Sequence, residues 1–256
     1  MDPLGIALLL LLAGAAAYVQ TITGFAFGLL MMGGIGMLGL LPLPDAAVMV
    51  SVLTLVNAAQ MILRGWKGVA WSEFRLALLP SLVLLVLGYL LLERLADTNL
   101  DGLRFLLGLV IVGASIQLLL QPHPLKERSS SGSFVLVGAL GGFLGGMFST
   151  SGPPLIYHLY RQPFPVATIR DTLVLIFAVN AIFRLGLVGT TGNFPIHILA
   201  GALLAAPVVT ATTFLAKRWP PPLPVLTLRR IAFTLLLLSG LSLAVPAVIN
   251  LGSAPA

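Results

Sequence analysis

Apolar residues along this chain come in long runs parted by short polar interruptions, and the run lengths predict the elements. A helix crossing a bilayer needs about 20 predominantly apolar residues. Six stretches are long enough and unbroken: roughly 46–63, 76–92, 103–120, 168–188, 196–215 and 226–246. Two more are apolar but interrupted. Residues 4–41 exceed one crossing and break at Gln20-Thr21-Ile22-Thr23-Gly24, and residues 134–164 break at Ser149-Thr150-Ser151-Gly152-Pro153-Pro154. Each broken segment is either one kinked crossing or a hairpin of two half-helices that returns to its own side. Lipid cannot bond the main-chain groups freed at such a break, so each break must be buried in protein or face a watery cavity.

Composition supports a bilayer protein. Only 9% of the residues are charged and 58% are hydrophobic, whereas soluble domains carry about 25% charge. With no cysteine, disulfides and thiolate metal sites are excluded. The net charge of +6 is spread over short loops, so it is no nucleic-acid patch. Asp2 stands where a secretory leader would carry Lys or Arg, so the first helix is expected to belong to the mature chain.

Basic residues arbitrate the topology, because short cytoplasmic loops collect them. If 134–164 is a hairpin, Arg64, Lys67, Arg75, Lys126, Arg128, Arg161, Arg170, Lys217, Arg218, Arg229 and Arg230 share one side, and only Arg94 and Arg104 face the other. A single crossing there would divide the same residues almost evenly. The hairpin is therefore expected, with the crowded side cytoplasmic. If 4–41 is also a hairpin, both termini lie outside.

The two halves carry related punctuation. Val56-Asn57-Ala58 recurs as Val179-Asn180-Ala181, Leu43-Pro44 as Phe164-Pro165, Pro80 as Pro207, and Leu103-Arg104 as Leu228-Arg229. The expected fold is thus an all-α polytopic membrane protein of two repeats, 1–122 and 134–256, joined by a cytoplasmic linker at 123–133. Each repeat is a broken-helix hairpin followed by three transmembrane helices. Three is odd, so the repeats are inverted, and paired broken segments in an inverted repeat mark a secondary transporter.

The stretches Gln20-Thr21-Ile22-Thr23-Gly24-Phe25-Ala26-Phe27-Gly28 and Gly145-Gly146-Met147-Phe148-Ser149-Thr150-Ser151-Gly152-Pro153-Pro154 resemble the TauE/SafE-type sulfite exporters, from about Leu4 to Val245. One departure is Met31-Met32-Gly33-Gly34, where many members carry a Gly-rich run and then a proline. The resemblance implies a secondary carrier in the inner membrane that exports sulfite or a small organosulfonate.

The breaks suit such a guest. Ser149-Thr150-Ser151-Gly152 running into Pro153 reads as the N-terminus of a second half-helix, and Gln20, Thr21, Thr23 and Gly24 precede another near Phe25. Helix N-termini offer free N–H donors and partial positive charge to an oxyanion. Two such ends entering from opposite faces would meet near the midplane. The bland alternative is a pair of packing kinks whose hydroxyls bond back to carbonyls one turn earlier. Asn57 and Asn180 lie deep in crossings, either beside the hairpin tips as site members or as interhelical hydrogen bonds. Arg184 either contacts the anion or snorkels to the outer end. His158 contacts substrate, carries a proton, or is a solvated or core-bonded side chain. Tyr18, Tyr157 and Tyr160 read as packing or interfacial residues, and the Gly-rich stretches 33–39 and 138–146 as close helix approaches first and mobile stretches second.

All eight acids fall in loops or at span ends, so no buried carboxylate relay is expected. No phosphate-cradling Gly-Lys-Ser/Thr loop is present, and no cofactor is called for. The reading is a non-enzymatic anion carrier, driven by the proton or the membrane potential, with one repeat rocking against the other. Its partners are the small anion and the lipid bilayer, with room for a homodimer. An uptake carrier or channel for another small anion or organic acid is the alternative. A lipid-modifying enzyme would want clustered carboxylates or histidines, and His123, His158 and His197 are scattered. Reporter tags at 66 and 127 are expected in the cytoplasm and a tag at 98 outside; the reverse pattern overturns the orientation.

Overall fold

The computed structural model describes residues 2–62, 68–119, 124–191, 195–219 and 225–253. Arg64, Lys67 and His123, and the side chains of Arg229 and Arg230, lie outside the described residues. All regular structure among the described residues is helical: α1 (Pro3–Thr23), α2 (Phe27–Leu38), α3 (Leu43–Ile62), α4 (Trp71–Thr98), α5 (Leu100–Leu119), α6 (Ser131–Phe148), α7 (Gly152–Tyr160), α8 (Val166–Thr190), α9 (Ile196–Arg218) and α10 (Val225–Ser253). The helices α1, α3, α4, α5, α6, α8 and α9 are long and apolar enough to cross a membrane. The fold is an all-α multi-pass membrane protein.

Local chemistry sets the helix ends. Asp2 accepts the Gly5 N–H at 3.0 Å and Pro3 occupies the first turn of α1, satisfying one orphan donor and supplying a φ already suited to a helix. α1 stops at Gly24, whose φ of 80° lies in the left-handed region and whose N–H closes on the Gln20 carbonyl at 2.6 Å. Ala26 also holds a left-handed φ of 86°, which costs an L-residue roughly 1–2 kcal/mol. That second reversal delays the start of α2 to Phe27, two residues past the onset expected near Phe25. The other break is built similarly: α6 ends at Ser149 with φ 52°, and α7 begins at Gly152 with a proline in its first turn.

Both short helices fold back on their predecessors. Gly34 of α2 lies against Leu12 of α1. Ser133 Oγ of α6 meets His158 Nε2 of α7 at 3.1 Å, while Gly145, near the end of α6, lies against Ser151 at the start of α7. The segment before α6 is docked as well: Arg128 Nε donates to Glu73 Oε1 at 2.5 Å, the Ser129 N–H to Gln162 Oε1 at 2.9 Å and the Leu125 N–H to the Arg161 carbonyl at 2.7 Å.

The closest helix packing joins the two halves. A Cβ at Gly138, Gly142 or Gly146 of α6 would overlap the main chain at Ala77, Ser81 and Leu85 of α4. Glycines four apart lie on one helix face, and here they bring α6 onto the α4 backbone, where bilayer helices gain dispersion contact without a hydrophobic drive. The Gly108–Gly240 approach does the same for α5 and α10. α4 pairs with α6 and α1 with α9; α3 meets both α8 and α9, and α4 meets α8; α10 touches α2 and α5 touches α7. Exchanging α1–α5 for α6–α10 turns each of these pairings into another of the same set, except α3–α8, which maps onto itself. Away from α6, Leu79, Val83, Leu87 and Leu90 of α4 form an exposed apolar stripe suited to lipid tails.

Gly142→Ala is expected to cost about 1–3 kcal/mol through forced separation of α4 and α6. Gly113→Ala, where a Cβ meets nothing within 4 Å, should be neutral or gain up to about 1 kcal/mol from helix propensity. Thermal unfolding of the two purified variants checks this, and equal melting points would refute the close-packing account.

Candidate functional site

The two breaks meet. A Cβ at Gly28, in the first turn of α2, would sit 2.8 Å from the Ser149 carbonyl and 3.1 Å from Thr150 Cβ. Between the tips lies a small cavity of about 30 Å³, partly open to solvent. Its walls are Gln20, Ala26, Gly28 and Leu29 from the first hairpin, and Gly145, Ser149, Thr150, Ser151, Gly152 and Ile156 from the second. Thr54 of α3 and Phe177, Asn180, Ala181 and Arg184 of α8 complete it.

At the first tip one side chain does most of the binding. Ala26 supplies no cap to α2, and Gln20, a full turn before the break, reaches over instead: its Oε1 accepts the Phe27 N–H at 3.0 Å. Gln20 Nε2 donates to Asn57 Oδ1 at 3.1 Å, and Asn57 Nδ2 donates to Thr213 Oγ1 at 2.8 Å. Asn57 is fully buried and does not line the cavity; it fixes Gln20, which does. The Thr21 and Thr23 hydroxyls bond back to the Ala17 and Val19 carbonyls, spending donors that the sequence had offered to a guest. Gly24 lies under the Arg170 side chain, and Phe25 stacks on Phe233 and meets Tyr160 edge-on. Tyr160 also donates its hydroxyl to the Thr23 carbonyl at 2.6 Å. These residues hold the tip's outer side and not its cavity side.

The second tip is richer in hydroxyls. Ser149 Oγ and Ser51 Oγ of α3 are 2.7 Å apart. Asn180 Nδ2 donates to Ser151 Oγ at 3.0 Å and to Ser81 Oγ at 2.8 Å. Two of the four N–H groups a helix start normally presents are missing, because Pro153 and Pro154 have none. The tip therefore offers hydroxyls beside the Gly152 amide and is poorer in main-chain donors than an ordinary N-terminus. Pro153 shapes this turn without lining the cavity.

Arg184 supplies the charge. It is 1% exposed, so it does not snorkel outward. Its Nε donates to the Gly146 carbonyl at 3.1 Å and its guanidinium lies 5.8 Å from the centre of the Tyr89 ring. Both terminal nitrogens are buried without a hydrogen-bond partner. An arginine left so in a protein interior is costly, and its planar fork matches an oxyanion bidentately.

Gln20, Ser149, Thr150, Ser151, Gly152, Asn180 and Arg184 thus share one cavity, whereas Thr21, Thr23, Gly24, Phe25, Asn57 and Pro153 stand behind it. Ser51 and Thr54 were not expected. Their signal was the i, i+3, i+6 spacing of Ser51, Thr54 and Asn57, which puts three polar groups on one face of an apolar helix. Phe177 and Ala181 likewise follow from Asn180 and Arg184 by helical periodicity.

A family model described as sulfite exporter TauE/SafE matches residues 9–243. The chain belongs to the TauE/SafE family. A curated relative from Cupriavidus necator, described as a probable sulfite/organosulfonate exporter TauE, is 39% identical over 237 residues, covering 93% of each chain. No solved structure matches. As a TauE/SafE member the chain is a transport protein and not an enzyme, and its resemblance at the two broken motifs extends over residues 9–243.

Asn57→Leu should destabilise this TauE/SafE member by about 1–3 kcal/mol, because Gln20 and Thr213 lose a buried partner. Thr54→Val, on the cavity wall, should stay within about 0.5 kcal/mol of the parent. Melting points of the purified proteins decide, and an unchanged Asn57→Leu would show that the Gln20 cap stands without it.

Proposed function

We propose that this protein exports sulfite or a small organosulfonate across the inner membrane by alternating access, with the anion held between the two hairpin tips. The observation that carries this reading is Arg184: a buried guanidinium on the cavity wall, with both terminal nitrogens unpartnered, beside the hydroxyls of Ser149, Thr150 and Ser151. The name of the Cupriavidus relative supports the sulfur-anion class.

An orientation with the basic loops cytoplasmic and the termini outside supplies a driving force. With an interior potential of about −100 mV, expelling one negative charge releases roughly 2.3 kcal/mol. A carrier driven in this way needs no buried acid, and no carboxylate lines the cavity.

The helix pairings that exchange between halves support an inverted repeat. They also bear on the motion. Rocking α1–α5 against α6–α10 would pull apart the α4–α6 and α5–α10 seams, where glycines put main chains in contact. In our reading the moving bodies are mixed: the α6–α7 hairpin travels with α4, and the α1–α2 hairpin with α9. The α1–α9 seam is looser, since a Cβ at Gly14 would meet only the Val208 and Thr212 side chains, at 3.2 and 3.3 Å.

Arg184→Met separates function from folding. Removing an unpaired buried charge relieves its desolvation cost, so the variant should unfold at a higher temperature than the parent without anion, by about 1 kcal/mol or more. Sulfite flux in proteoliposomes under an imposed potential should fall at least about tenfold, because losing a charged hydrogen-bonding partner costs 2–5 kcal/mol. Parental flux in this variant would overturn the proposed site.

A further inference from the structure

The Arg184 site has one full positive charge and nothing to answer a second negative one. We infer that it takes a singly charged oxyanion, hydrogen sulfite or an organosulfonate, and rejects the sulfite and sulfate dianions. This rests on the transport reading above and narrows its substrate to a charge state.

The charge census around the cavity is short. Arg184 is the one charged residue in its lining. Four elements pack against α8: α3, α4, α6 and α7. From α4, Tyr89 and Glu93 face the guanidinium; Tyr89 offers its ring, while Glu93 acts on Arg184 through space. Among the described residues no carboxylate forms an ion pair with Arg184. α3 carries one carboxylate, Asp45, which is paired with His197 at 3.5 Å. From α7, His158 is turned to Ser133 and to the Phe134 ring, and α6 carries no ionisable side chain. On α8 itself, Arg170 and Asp171 pair with each other at 3.6 Å, and Arg170 covers the other side of the first tip.

A single bound negative charge therefore makes the loaded site neutral apart from Glu93, which already weakens the positive field and adds to the penalty for any further negative charge. The remaining donors are hydroxyls and amides. They orient oxygen atoms, yet carry no formal charge to offset a dianion held away from water. The donor count fits this stoichiometry: Nε is occupied by the Gly146 carbonyl, and the two terminal nitrogens, buried and unpartnered, remain to pair with two oxygens of one guest.

The test is anion-dependent thermal stabilisation of the purified, intact protein. Methanesulfonate, sulfate and sulfite are titrated at one pH unit below and one unit above the second ionisation of sulfurous acid. Methanesulfonate stays a monoanion throughout and should stabilise equally at both. Sulfate should bind at least about tenfold more weakly than methanesulfonate. The apparent Kd of sulfite should rise roughly tenfold between the two conditions, because only the monoanionic fraction competes for the site. Sulfate binding as tightly as methanesulfonate, or sulfite binding that is unchanged or tightens as pH rises, overturns the charge-state assignment alone. Stabilisation by none of the three overturns it together with the transport site on which it rests.

Discussion

A helix interrupted inside a bilayer exposes main-chain groups that lipid cannot bond, and each must find a partner within the protein. This chain meets that demand twice. At the first break Gln20 reaches across three non-helical residues to take the Phe27 amide, and Asn57 holds Gln20 in that pose. At the second, Asn180 anchors Ser151 and Ser51 meets Ser149. The anchors sit on the neighbouring helices α3 and α8, so the tips as seen here depend on the packing of those helices. Polar residues within a bilayer are expensive, and here Gln20, Ser51, Asn57, Ser151 and Asn180 are engaged in making the interruptions tolerable.

Against that background Arg184 is the exception. Among the polar side chains that line the cavity, it alone has buried nitrogens without a hydrogen-bond partner. The two tips also divide their labour. The first spends its threonine hydroxyls on its own α1 carbonyls and presents backbone near Gly28 and Leu29. The second has lost main-chain donors to Pro153 and Pro154 and presents hydroxyls instead. A guest between them would meet two kinds of neutral donor and one charge, which is a basis for orientation as well as affinity.

The glycine seams set what can move. Main-chain contact at Gly138, Gly142 and Gly146 makes the α4–α6 interface a close one, and it belongs to both halves at once. Under the proposed alternating access, the moving bodies follow this packing and not the sequence repeat.

How much was legible in advance follows from the range of each interaction. Run lengths of apolar residues depend only on the thickness of the bilayer, so the crossings and both interruptions could be read from the sequence, as could the TauE/SafE kinship carried by the broken motifs. Asn57, Asn180 and Arg184 stood out because such residues are rare in apolar helices. Their roles did not follow, because a role is set by what lies across the interface: Thr213 and Gln20 for Asn57, Ser81 and Ser151 for Asn180, the Gly146 carbonyl and Tyr89 for Arg184. The same holds for Thr21 and Thr23, whose hydroxyls suited a guest on paper and turned back on their own helix, since a threonine's nearest acceptor is a carbonyl one turn away. Sequence by itself determined that the chain spans a membrane and where its helices break, because those depend on composition and local backbone chemistry. Only the tertiary structure decided which polar groups support the breaks and that the Arg184 guanidinium terminus is left without a partner, because that depends on neighbours tens of residues away along the chain, from 29 for Asn180–Ser151 to 156 for Asn57–Thr213.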